Sequence, residues 1–235
     1  MVPAPEAMER GHFPGLDGPA VIAHRAGNAP RLARQAIDDG ADLIEVDLWV
    51  HGSVLEARHE RALYPLPVFL EKWYVKFAPR RPFDLTRLLR ETTGSTPVFL
   101  DLKNGPARTV AELLHTAIDP CSRRERIFAS SQLWHVLRGI SRSMPEVTLF
   151  YSIDVAAKLA LFRSVWDREP IARGVSCNHR LLTRPIVQDF KRRGLVVVAW
   201  TVDDEERGRE LLSWGVDAIT THRIAEIRAL VGAMR

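Results

Sequence analysis

The sequence predicts an α/β fold, a closed (β/α)8 barrel of the TIM type with a hairpin extension after the second strand and a shortened insertion behind it. Three observations carry this. Eight short runs rich in Val, Ile, Leu and Phe recur along 235 residues, and most are followed by a stretch with helical spacing. Continuous apolar strands alternating with amphipathic helices mean a parallel sheet covered by helices. No glycine-rich dinucleotide fingerprint follows the first run, which disfavours an open doubly wound sheet, and the length suits a single closed barrel, for which about 250 residues is usual.

In chain order, the strand-like runs are 20–24, 42–49, 97–103, 126–130, 147–152, 174–177, 195–202 and 217–221. Between and after them, helical spacing covers 30–39, 107–118, 133–141, 155–166, 184–193, 204–214 and 224–234. Asp203-Asp204 ahead of Glu205-Glu206 is a helix-start signal, and Gly40, Gly194 and Gly215 close helical runs. One run breaks the alternation. Residues 53–58 follow Trp49 with only Val50, His51 and Gly52 between, too few for a helix. They read as a hairpin return of the second strand that brings His59 toward the barrel mouth. With no linker-like stretch and no internal repeat, residues 1–235 are expected to form one domain, with the short apolar insertion at about 60–84.

Composition excludes other classes. Hydrophobic residues at 46% and charged residues at 26% fit an ordinary globular chain. The longest apolar stretches are too short to cross a bilayer as a helix. The net charge of +4 comes from 28 Arg and 5 Lys, 33 in all, against 29 acidic residues. The basic clusters at Arg80-Arg81, 123–126 and 191–193 lie far apart, so nucleic acid is not an expected partner. Two cysteines, Cys121 and Cys177, make no disulfide framework, and Cys177 in a strand-like run reads as a buried free thiol. The first fifteen residues lack the apolar core of a signal peptide, which leads us to expect a cytoplasmic protein.

In a barrel of this type the site forms at the C-terminal ends of the strands. His24-Arg25 ends the first strand. Glu45 and Asp47, two apart on the second, face one way, and Asp101 and Lys103 repeat that geometry on the third. Ionisable groups on barrel strands are costly to bury unless they pair or bind something. Three carboxylates with no thiolate and no His-x-x-x-His spacing favour a hard cation, Mg2+ or Ca2+, over Zn2+. Arg25 and Lys103 beside it suit an anionic substrate, above all a phosphate, and His24 and His59 would then supply acid and base. The competing reading is a set of buried salt bridges, Glu45 or Asp47 with Arg25 and Asp101 with Lys103.

At these residues the sequence resembles the glycerophosphodiester phosphodiesterases. The matching segments are Ile22-Ala23-His24-Arg25-Ala26-Gly27, the run 40–47 ending Glu45-Val46-Asp47, Phe99-Leu100-Asp101-Leu102-Lys103, Ala199-Trp200-Thr201-Val202-Asp203 and the closing run 215–221. The resemblance implies that Glu45, Asp47 and Asp101 hold a divalent metal, that Arg25 and Lys103 grip the phosphate, and that His24 and His59 act as general acid and base. Trp200 would line the pocket, or else be a core tryptophan. The implied activity is metal-dependent hydrolysis of glycerophosphodiesters, small molecules of lipid metabolism, to an alcohol and glycerol phosphate. The chain departs from the family pattern in places. Ala29-Pro30-Arg31-Leu32 stands in place of a Pro-Glu-Asn-Thr segment, Asp101 in place of a glutamate, Glu60 in place of an aspartate, and His222 in place of an aspartate that is common after the last strand. The aspartate in the third strand and the short loops also resemble the sphingomyelinase D enzymes, which expel an alcohol to leave a cyclic phosphate. A non-catalytic phosphate-binding barrel is the remaining alternative.

The insertion is unusually apolar from Leu63 to Phe77. It is expected to be a helix packed on the barrel rim, with Trp73 and Tyr74 turned inward. The other reading makes residues 63–77 a lid or a patch that touches membrane, since aromatics sit beside Lys72 and Lys76. The sequence does not set an oligomeric state.

Overall fold

The computed structural model describes residues 13–63, 66–71, 74–79, 82–92, 96–118 and 126–234. Eight parallel strands form the barrel: β1 (Ala20–Ala23), β2 (Leu43–His51), β7 (Val98–Leu102), β8 (Ile127–Ser131), β9 (Thr148–Ile153), β10 (Gly174–Asn178), β11 (Val196–Trp200) and β12 (Ala218–Thr221). Each pairs with the next in this order, β1 also pairs with β12, and Ile22↔Leu43 and Ala23↔Ile44 complete the closure between β1 and β2. All eight predicted runs are strands.

The helices α1 (Pro30–Asp38), α3 (Ala107–Ala117), α4 (Trp134–Ser143), α5 (Ala156–Arg168), α6 (Arg184–Arg192), α7 (Glu205–Ser213) and α8 (Ile224–Ala233) match the seven expected ones. The end signals act as read. The Asp204 side chain caps α7 by accepting from the Arg207 N–H at 2.7 Å. Gly40, Gly194 and Gly215 take positive φ just past α1, α6 and α7. Among the described residues no helix is long and apolar enough to cross a membrane.

Strand alternation sorts the core in two. Outward-facing residues such as Ile44, Val46, Leu100, Val175 and Val197 pack against the helices. Inward-facing Ile22, Leu43, Phe99, Phe128, Phe150 and Val198 fill the lower barrel, where Phe13 is stacked on Phe150 and tilted against Phe128, with ring centroids 5.8 and 4.8 Å away. One step further along the same inward rows the chemistry changes, because Glu45, Asp47, Asp101, Ser130, Ser152, Ser176 and Thr220 line a cavity at the mouth. The lower barrel is a solid apolar floor beneath a polar cup. Cys177 is a buried free thiol, its pKa pushed up to about 12 by burial, while Cys121 lies outside the described residues.

The hairpin return is present. β3 (Val54–Ala57) runs antiparallel to β2, with His51↔Val54 and Leu48↔Ala57 in register. The insertion corrects the expectation of a helix on the rim. Its described residues form a three-stranded antiparallel sheet of β4 (Arg61–Ala62), β5 (Val68–Glu71) and β6 (Tyr74–Phe77), followed by the short helix α2 (Leu85–Glu91). The apolar residues here fit a period of two. Val68, Leu70, Val75 and Phe77 share one face of the hairpin, and Phe69, Glu71, Tyr74 and Lys76 share the other. β-Branched and aromatic residues at that spacing satisfy a strand, and they overrode a reading based on the density of apolar residues. The inward-packing expectation also needs correction. Phe69 is buried, but Val75 and Phe77 are 58% and 83% exposed and Tyr74 is exposed at the edge; Trp73 lies outside the described residues.

Candidate active site

The first strand delivers His24 and Arg25 to the mouth. Arg25 takes a left-handed backbone, φ 56° and ψ 11°, a conformation that costs a non-glycine residue about 1–2 kcal/mol. In that conformation its N–H meets Glu45 Oε2 at 2.6 Å, so the turn that presents the guanidinium also orients the first carboxylate. Gly27 lets this turn lie on β2. A Cβ there would sit 2.6 Å from Val46 Cβ and 3.0 Å from the Glu45 carbonyl oxygen. Asn28 then clamps the second carboxylate from both sides: its amide donates to Asp47 Oδ2 at 2.8 Å, and its Oδ1 accepts from the Asp47 N–H at 2.9 Å.

Glu45, Asp47 and Asp101 converge, and one carboxylate oxygen from each lies within 4.8 Å of the other two. Glu45 and Asp47 are buried. Burial, and after it the negative charge of Asp47, push the Glu45 carboxyl well above its usual range. Burial also acts on Asp47, but the charge and hydrogen bond of Lys103 and the Asn28 amide outweigh it and hold that carboxyl below its usual value. Lys103 Nζ lies 2.7 Å from Asp47 and also bonds Asp101. The ion pairs of the competing reading therefore exist beside the carboxylate cluster. Three hard oxygen donors from two adjacent strands, one of them carrying unfavourable buried charge, fit a divalent cation.

Arg25 Nε is buried without a hydrogen-bond partner, 4.0 Å from Asp47 Oδ2. Buried N–H groups rarely stay unsatisfied, so this donor suits an incoming anion. The Arg25 Nη2 group donates to His59 Nε2 at 2.5 Å, which leaves the ring proton of a neutral His59 on Nδ1. That nitrogen is 2.8 Å from Glu71 Oε1. His24, which lines the same cavity, has its Nδ1 2.9 Å from His222 Nε2. Burial, then the neighbouring His222 and Arg25, bring the His24 pKa down to about 3.

All eight residues singled out in the sequence, Trp200 included, line one cavity of about 240 Å³. Trp200 ends β11 half-buried on the cavity wall rather than in the core. A second depression of about 290 Å³ shares His59, Asp101, Lys103 and Gln132 with the first and runs out to Trp49, Arg61 and Leu70.

Sequence reasoning missed Asn28, Glu71 and the Asp203–His222 pair. Glu71 belongs to β5, and the hairpin that carries it is anchored by Phe69 stacked on Arg58, with 4.8 Å from guanidinium carbon to ring centroid, and by Lys76 paired with Glu60. Its only sequence signal is a lone carboxylate in an apolar run. For His222 the signal was present, as an unexpected histidine directly after the last barrel strand.

Comparison with known proteins bears on the family and the fold. The sequence profile of the Glycerophosphoryl diester phosphodiesterase family matches residues 95–226, more than half of the chain. The glycerophosphodiester phosphodiesterase GDPD4 of Arabidopsis thaliana is 26% identical over 224 residues, covering 85% of this chain and 67% of that protein. Among solved structures, a glycerophosphodiester phosphodiesterase from Parabacteroides distasonis superposes with a TM-score of 0.75 at 21% identity, covering 94% of this chain and 99% of that one. A phosphodiesterase from Oleispira antarctica, solved with the product sn-glycerol-3-phosphate, gives 0.74 at 17% identity, with 92% and 97% covered. These structures share the barrel, and the profile match over six of its eight strands places this chain in the glycerophosphoryl diester phosphodiesterase family.

Proposed function

We propose that this chain is a metal-dependent phosphodiesterase that hydrolyses glycerophosphodiesters to an alcohol and glycerol phosphate. One observation carries the reading: two histidines, an arginine and a lysine line the same cavity as a cluster of three carboxylates. The product-bound Oleispira antarctica structure, with the same barrel, supports a substrate of this class.

A divalent cation, Mg2+ or Ca2+, held by Glu45, Asp47 and Asp101 supplies Lewis-acid charge at the phosphoryl oxygens. Arg25 binds a phosphoryl oxygen through Nε, its unsatisfied donor, and Lys103 holds the carboxylates in place while adding positive charge. His24, kept neutral by burial and by Arg25 and Lys103, takes the proton of the attacking hydroxyl as the oxygen–phosphorus bond forms. That hydroxyl belongs to water, or to the substrate's own neighbouring carbon, in which case water then opens the resulting cyclic phosphate to glycerol phosphate. His59, whose pKa burial lowers while Asp47 and Glu71 favour the charged ring, gives a proton to the departing alcohol oxygen as its bond to phosphorus breaks. Incubating the chain with glycerophosphocholine in Mg2+ or Ca2+, with and without chelator, tests the reading. Turnover that persists undiminished in excess EDTA overturns the metal assignment, and the absence of turnover on every glycerophosphodiester overturns the activity.

A second reading has one observation in its favour. The outward face of the hairpin presents Val68, Leu70, Val75 and Phe77, and Leu70 also lines the depression that joins the catalytic cavity. An apolar surface at the mouth suits a lysolipid, or contact of residues 63–77 with a membrane, better than a small polar diester. Phosphorus NMR separates the chemistries, since expulsion of an alcohol without water leaves a cyclic phosphate.

A further inference from the structure

His24 faces a difficulty as a base. A ring held neutral down to a pH of about 3 accepts a proton poorly, and the groups facing it explain why: burial, His222, Arg25 and Lys103 oppose the charge, with Asp47 alone favouring it. The structure supplies an outlet. Asp203 accepts from the His222 backbone N–H at 2.8 Å and from Thr221 Oγ1 at 2.9 Å, and its second oxygen lies 2.8 Å from His222 Nδ1. Burial opposes the charge on Asp203, yet these hydrogen bonds hold its carboxyl below the usual value, so it is ionised and can only accept. His222 Nδ1 therefore carries its hydrogen. In a neutral His222 the other nitrogen, Nε2, is then a bare lone pair directed at His24 Nδ1, 2.9 Å away, with the two rings edge-on at 61°. His24 Nδ1 must donate, which leaves His24 Nε2 free of hydrogen. Thr201 Oγ1, 3.3 Å from the same Nδ1, holds the ring from a second side.

We propose that Asp203, His222 and His24 form a proton relay in which His222 receives the Nδ1 proton of His24 as His24 takes the substrate's proton on Nε2. The protons balance. One leaves the attacking hydroxyl for His24 Nε2, one leaves His24 Nδ1 for His222 Nε2, and the positive charge comes to rest on His222 against the Asp203 carboxylate. The His222 side chain is 49% exposed, so the proton is released to water from there rather than from the buried ring. His222 is a positioning residue, fixing the His24 tautomer and acting only through it. The relay rests on the phosphodiesterase reading for its purpose but not for its geometry.

The experiment has two arms. In the first, nitrogen-15 NMR of the histidine side chains in the full chain without substrate, near pH 7, reads the His24 tautomer. The relay requires hydrogen on Nδ1 and none on Nε2, and the His222→Phe variant must lose that preference. An Nε2–H tautomer in the parent chain, or no change in the variant, overturns the relay. In the second, His222→Asn and His222→Ala are assayed with glycerophosphocholine. The expected result is a fall in kcat of about 10²-fold with KM and melting temperature held, the low end of what losing general acid–base catalysis costs. Added imidazole recovers part of the His222→Ala loss, and the solvent-deuterium dependence goes from two protons in flight to one. Parental kcat and proton count in His222→Asn overturn the relay while leaving the phosphodiesterase intact. A parent chain inactive on every diester overturns the phosphodiesterase reading instead, and the NMR arm then decides the relay by itself.

Discussion

Glu45 is buried beside two other carboxylates, so Glu45→Gln removes a repulsion as well as a proposed metal ligand. We expect this variant to lose metal-dependent turnover while melting, in chelator, no lower than the parent. A lower melting temperature in chelator would show that Glu45 is a structural anchor instead. His24→Ala and His59→Ala should each slow turnover by about 10² to 10⁴-fold with the fold retained. The double variant should not show the product of the two losses, because the residues serve one proton-transfer cycle; a full product would place them in separate steps. Asp203 adds a pH dependence. Its carboxyl lies below the usual value, so the support it gives His222 is complete above the ordinary carboxylate range and fades as pH falls through the depressed folded value. The tautomer of His24 should therefore hold for as long as His222 is neutral, as read by the same nitrogen shifts at successive pH values.

At the level of elements, strand and helix positions were legible in the sequence, because buried parallel strands are short continuous apolar runs and their helices carry caps that name their ends. The insertion was not. Leu63 to Phe77 is so dense in apolar residues that its alternation is hidden, and the sheet shows itself only once Val68 and Phe77 are seen to pair. The residues of the site follow the same division. Those that lie on barrel strands or beside them, such as Glu45 and Asp101, were found from spacing alone. Glu71 was not, because its approach to His59 depends on how the hairpin folds over the rim, a relation between elements that no local period encodes. Two element-scale outcomes follow. Gly27→Ala forces a Cβ into β2, and the strain of such overpacking is about 1–3 kcal/mol. It should lower the melting temperature and weaken metal binding together, whereas unchanged metal affinity would separate the turn from the carboxylates it touches. Replacing Leu70 and Phe77 together by Ser touches only the outward face of the hairpin. If the substrate is a short diester, KM stays put; if it is a lysolipid, KM for long chains rises by the equivalent of about 1–3 kcal/mol at unchanged melting temperature.

For the whole molecule, the closure of the barrel sets an order of events during synthesis. β1 has β12 on one side and only a two-pair seam with β2 on the other, so its principal neighbour is the last strand to be made. His24 and His222 are separated by 198 positions along the chain yet lie within hydrogen-bond distance. At roughly 5–20 residues per second, the ribosome has already released the carboxylates, Arg25, Lys103 and both proposed catalytic histidines many seconds before His222 appears. During that interval β1 lacks its principal partner, and the imidazole that fixes the tautomer of His24 has not yet been made. The nascent chain thus carries the groups proposed to bind phosphate well before it can complete the proposed base, and the last turn of the barrel is the step that assembles the whole cup.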